Sequence, residues 1–131
     1  MMGVSWLAWL AVAVGGSLGA MGRFALALAY NRLPGSHFPW GTLTANLSGS
    51  FVIGLAFVYF SLRTGTLGDP MRTFIVVGLL GAFTTFSTFA IESVVLVQQQ
   101  QWMLATLYLI ASVLGSLIAV LLGLGVGKLL F

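Results

Sequence analysis

The 131-residue chain is 60% hydrophobic and 5% charged, with a mean hydropathy of +1.10. A soluble domain, in which about a quarter of the residues are charged, is thereby excluded. It has no cysteine, which excludes disulfides, thiolate metal sites and thiol catalysis, and its net charge of +3 is scattered rather than gathered into a patch for nucleic acid.

The composition predicts an all-α membrane protein forming a single four-span domain over residues 1–131, with runs at 6–30, 41–61, 74–97 and 102–122. Each is long enough for a hydrocarbon core that takes about 20 residues to cross. The first run has no Lys or Arg before it and three further spans after it, so it is expected to stay in the protein and not be cleaved as a signal peptide. Gly15 and Gly19 form a small-residue ridge on it that allows close helix contact, either within the chain or with another chain. Arg23, near its end, suits a water-filled vestibule where a fixed positive charge gathers anions; snorkelling to the interface accounts for it equally.

The connection at 31–39 carries Arg32, Pro34, Gly35, His37 and Pro39, a helix-breaking set. In the second run Asn46, Ser50 and Gly54 recur at four-residue spacing. An amide at such depth needs several partners, so Asn46 is interhelical glue or part of a polar path. A second break, 63–72, holds Arg63, Gly65, Gly68, Asp69, Pro70 and Arg72.

The third run reads Gly81-Ala82-Phe83-Thr84-Thr85-Phe86-Ser87-Thr88-Phe89 near its middle, with four hydroxyls within five residues. One hydroxyl can bond back to its own helix. Four beside a glycine predict an interruption at 81–85, which membrane depth tolerates only where backbone is protein-buried or lines a cavity. Carbonyls freed there suit a cation, and the following helix start suits an anion. Phe86 and Phe89 share a helix face, where electropositive ring edges can meet an anion or simply pack. Glu92 is read as a partner for Arg23 or as the anchor of a vestibule wall, not as a proton relay.

Gln98 to Gln101 is a polar tetrad too short for a domain. In the fourth run Tyr108, Ser112 and Ser116 form a stripe of hydrogen-bond donors, beside a small-residue ridge of Ala111, Gly115, Ala119, Gly123 and Gly127. Donors and positive ends dominate this inventory, which suits a small anion. By alternation of spans, Arg23 and Arg32 lie towards one side, and Arg63, Arg72 and Lys128 towards the other. So weak a bias gives no strong orientation, and the chain is expected to insert both ways and pair as an antiparallel homodimer.

Three segments, 15–24, 41–54 and 81–89, resemble the Fluc, or CrcB-type, fluoride channels, and the four-span plan matches over the whole chain. The resemblance implies a passive channel exporting cytoplasmic fluoride from bacteria, across the inner membrane, through two pores of an antiparallel dual-topology dimer. Phe86 and Phe89 would form an aromatic box, Asn46 would sit at a fluoride position, and Ser87, Thr88, Tyr108, Ser112 and Ser116 would line a polar track. Arg23 would stand in the vestibule, and the Gly81 and Thr84 carbonyls of both subunits would hold a structural Na+. A small proton-coupled multidrug exporter has a similar size and span count, but it needs a membrane carboxylate and the first span has none. A non-transporting assembly subunit would need its polar residues only as glue. One His, no Cys and no paired carboxylates argue against an enzyme.

Overall fold

A computed structural model describes residues 3–33, 35, 37–63 and 68–131; Pro34 and Gly65, read above as loop breakers, lie outside them. Every regular element among the described residues is helical: α1 (Trp6–Asn31), α2 (Trp40–Leu62), α3 (Pro70–Arg72), a π-helical stretch (Thr73–Leu80), α4 (Gly81–Phe83), α5 (Phe86–Gln98) and α6 (Trp102–Leu130). Grouped, they make four helices long and apolar enough to cross a membrane: Trp6–Asn31, Trp40–Leu62, Pro70–Gln98 and Trp102–Leu130. The protein is a multi-pass membrane protein.

Helix starts follow from local chemistry. The Ser5 side chain accepts from the Ala8 amide at 3.4 Å, and Asp69 accepts from the Met71 amide at 3.3 Å, with Pro70 at the first helical position. The Gln98–Gln101 tetrad closes α5 with Gln100 in the left-handed region (φ 59°). The Gln100 amide donates to Val97 and the Gln101 amide to Leu96, both at 2.9 Å, which satisfies carbonyls that the helix end would orphan.

Small residues set the packing. A Cβ on Gly15 or Gly19 would collide with the Phe74 or Leu79 carbonyl, and one on Gly123 with the Phe51 carbonyl. A Cβ on Gly78 would stand 3.0 Å from the Gly16 amide nitrogen. Both small-residue ridges are therefore used within the chain, α1 against the first half of the third span and α6 against α2. The Gly123 and Gly127 contacts with α2 also carry α6 to Leu130, eight residues past the 122 boundary expected from hydropathy. Large side chains such as Leu107, Ile110, Leu114, Leu117 and Leu121 are left outward on α6, an apolar surface that belongs in lipid.

Candidate functional site

Thr84 (φ −80°, ψ 155°) and Thr85 (φ −152°, ψ 122°) are extended, and they fall at the midpoint of the Pro70–Gln98 span. In continuous helix the Thr85 amide would bond to the Gly81 carbonyl and the Phe86 amide to the Ala82 carbonyl. Instead the Thr85 amide donates to Asn46 Oδ1 at 2.7 Å, and the Thr85 carbonyl accepts from Asn46 Nδ2 at 3.0 Å. Arg23 Nε donates to the Ala82 carbonyl at 3.1 Å. A side chain from α2 and one from α1 thus replace helical bonds that the third span gives up, as buried backbone groups require.

The hydroxyls divide their work. Thr84 Oγ1 bonds back to the Leu80 carbonyl at 3.0 Å. Thr85 Oγ1 caps α5, accepting from the Thr88 amide at 3.2 Å and donating to Thr88 Oγ1 at 3.1 Å, with Ser87 Oγ at 3.4 Å. The Gly81 carbonyl is released from the helical partner it would have had. Among the described residues no group of three His, Cys, Asp or Glu side chains could hold a metal.

Beside Thr84 and Thr85 lies an open groove of about 370 Å³, whose lining includes Asn46, Phe86, Phe89, Ser112 and Ser116. Phe86 is 79% exposed and Phe89 7% exposed; their centroids are 5.5 Å apart with planes at 55°. Ser112 is 6% exposed, and its hydroxyl has no hydrogen-bond partner.

A second cavity, of about 290 Å³, holds Arg23, Thr88, Thr42 and Glu92. Arg23 Nη1 is 3.5 Å from Thr88 Oγ1, a weak contact. Of the two roles considered for Glu92, the structure places it in the cavity wall and gives it partners other than Arg23. Thr42 Oγ1 donates to its Oε1 at 2.9 Å and the Tyr108 hydroxyl to its Oε2 at 2.6 Å. Tyr108 is fully buried, its ring 5.3 Å from that of Phe89, and lines neither cavity.

The fold therefore gathers Asn46, Thr84, Phe86, Phe89, Ser112 and Ser116 at one groove and Arg23 and Thr88 at the adjoining cavity. Tyr108 stands behind Phe89, Ser87 is exposed near the α5 cap, and Gly81 lies on the far side of the break. Sequence reasoning missed Thr42, although it precedes Asn46 by one turn on the same α2 face.

The family model described as CrcB-like protein, Camphor Resistance (CrcB), matches residues 10–124. The chain is 46% identical over 124 residues to the fluoride-specific ion channel FluC of Magnetococcus marinus, covering 95% of this chain and 98% of that protein. It is 41% identical over 127 residues to fluoride-specific ion channel FluC 1 of Nitrobacter hamburgensis, covering 97% and 100%. With FluC of Chloroflexus aurantiacus the identity is 44% over 119 residues, covering 91% and 94%.

Proposed function

Because the chain belongs to the CrcB-like family, we propose that it is a fluoride-specific ion channel that lets fluoride leave the bacterial cytoplasm passively across the inner membrane. The observation that carries the reading is the mid-span groove. There the edge-bearing rings of Phe86 and Phe89, the Asn46 amide and the unpartnered Ser112 hydroxyl converge with no carboxylate among them.

Fluoride is small, strongly hydrated and a strong hydrogen-bond acceptor, so a path for it must replace water with donors and positive edges. Arg23 raises anion concentration in its cavity, and Thr88 passes the ion on towards the break. Asn46 through its second amide N–H, Ser112 and Ser116 donate to it, while the electropositive edges of Phe86 and Phe89 hold it without offering a competing acceptor. Tyr108 supports this track from behind, tying Glu92 to the back of Phe89.

The channel acts as an antiparallel homodimer with two pores. Non-helical backbone at membrane depth must be covered by protein; the extended pair Thr84 and Thr85 is only partly buried in the single chain, and Gly81, Phe86 and Ser87 around it are exposed. A second copy over this surface supplies the cover, and the near-equal split of basic residues between the two sides removes the bias against inserting it inverted. The oxygen donor set at the break fits a hard monovalent cation: the Gly81 and Thr84 carbonyls from both copies would hold a structural Na+. Bound there, such an ion would offset the dipoles of these carbonyls.

An exporter coupled to protons would need a carboxylate free to exchange them with substrate, whereas both oxygens of Glu92 accept from hydroxyls. The test is efflux from liposomes that contain only this purified protein. Fluoride should leave and chloride should not; no fluoride efflux, or equal chloride efflux, refutes the assignment. Phe86→Ile and Phe89→Ile should each lower fluoride flux at least tenfold with the dimer intact on size exclusion. Survival of flux in both rules out the aromatic-edge mechanism.

A further inference from the structure

The connection between α1 and α2 ends on Phe38-Pro39-Trp40. Pro39 has φ −80° and ψ 68°, and the Trp40 amide donates to the Phe38 carbonyl at 2.9 Å. These are the marks of an inverse γ-turn centred on the proline, whose ring fixes φ. A residue before proline is itself restricted to extended backbone, so the turn leaves Phe38 little freedom of direction. The Phe38 side chain packs on the buried cluster that includes Leu43, Phe89 and Tyr108.

From there the rings form an unbroken series into the membrane. The Trp40 and Phe38 centroids are 4.6 Å apart, and Phe38 meets Tyr108 at 5.5 Å with planes at 83°. Tyr108 meets Phe89 at 5.3 Å, and Phe89 meets Phe86 at 5.5 Å. Every step falls within the range of about 4.5–7 Å at which ring pairs attract. Trp40, at one end, is 46% exposed at the start of α2; Phe86, at the other, stands in the mid-span groove. Tyr108 is the middle member, fully buried, with its hydroxyl on Glu92 Oε2 at 2.6 Å. That bond fixes the tip of the ring but not its tilt, which the contacts with Phe38 and Phe89 decide.

We propose that Phe38 is a positioning residue for the fluoride path: through Tyr108 it sets the tilt of the Phe89 ring, and so which part of that ring's electropositive edge faces the groove. Phe38 lines neither the groove nor the Arg23 cavity, so its effect reaches the ion only through its neighbours. Close-packed interiors carry such an effect, because a gap opened on one side of a ring forfeits the contacts there and the ring moves to recover them. An aliphatic side chain of similar bulk does not substitute, since a T-shaped ring contact has a direction that an aliphatic contact lacks. The inference rests on the channel reading of Phe86 and Phe89.

Fluorine NMR of the full chain in detergent, with para-fluorophenylalanine in place of Phe89, reads the setting of that ring, and fluoride efflux from liposomes by the unlabelled proteins reads the consequence. Phe38→Leu should move the resonance and lower fluoride flux about threefold. Phe38→Tyr, which keeps the ring, should match the wild type in both. Phe60→Leu, at a buried ring of a separate cluster, should also match it and controls for general loosening of the bundle. Pro39→Ala relaxes the turn and should move the resonance in the same direction by less, which keeps the test open if Phe38→Leu does not fold. An unmoved resonance in Phe38→Leu and Pro39→Ala, or equal shifts in Phe38→Leu and Phe38→Tyr, overturns the proposal. So does a moved resonance with undiminished fluoride flux. Absence of fluoride flux in the wild type refutes the channel assignment instead, and is told apart because the resonance is read without conduction.

Discussion

Ser112 presents a buried hydroxyl with nothing to bond to, and leaving such a group unpaired costs about 1–3 kcal/mol. A polar atom retained at that cost has a use that a single chain does not display, and the groove it lines supplies one. Ser112→Ala should therefore separate function from stability: fluoride flux falls several-fold, whereas stability to thermal unfolding in detergent is unchanged or rises by about 1 kcal/mol. Loss of stability with flux preserved would assign Ser112 to packing. Its helical neighbours show the limit of reading spacing alone. Tyr108, Ser112 and Ser116 stand on one face of α6 by sequence, yet the Tyr108 hydroxyl turns to Glu92 while Ser112 and Ser116 line the groove. A repeat reports the face of its own helix and nothing about the neighbour that the face meets.

At the scale of elements, the third span is held open by Asn46. Its amide matches the Thr85 N–H with an acceptor and the Thr85 carbonyl with a donor, so the pair substitutes for a turn of helix. Asn46→Leu removes both bonds and strands the partly buried Thr85 N–H and carbonyl, for an expected loss of about 2 kcal/mol. Asn46→Asp keeps an acceptor for the N–H but loses the donor to the carbonyl, and should fall between. Thermal unfolding, with hydrogen exchange at residues 84–88, reads both; an Asn46→Leu protein as stable as the wild type would mean that the break is held by other contacts. The sequence marks this region through a glycine, β-branched threonines and four hydroxyls. It does not mark Thr84 and Thr85 as the extended pair, because that choice depends on where α2 brings an amide. The Gly15, Gly19, Gly123 and Gly127 ridges were equally legible as close-contact surfaces, and only the packed chain assigns them to intramolecular partners.

For the whole molecule, a mid-span surface that leaves Gly81, Phe86 and Ser87 exposed beside the extended Thr84 and Thr85 calls for a covering chain, and inverted insertion is the outcome to test. Tags accessible to impermeant reagents should be labelled from both faces of the membrane in a population of intact and opened cells, in roughly equal amounts. Labelling from one face only would exclude dual topology.

The sequence by itself determined that this is a four-span helical membrane protein with a cluster of hydroxyls in the middle of the third span, because hydropathy and the cost of placing hydroxyls in hydrocarbon are properties of a segment alone. The resemblance in 15–24, 41–54 and 81–89 likewise lay in the order of residues. Only the tertiary structure decided that Asn46 and Arg23 take over the bonds the third span relinquishes, that Glu92 is held by Thr42 and Tyr108 instead of Arg23, and that Ser112 is left with an open hydroxyl. Hydrogen bonds between spans depend on the rotation and depth of each helix against its neighbour, and those are fixed by glycine contacts that no single helix encodes.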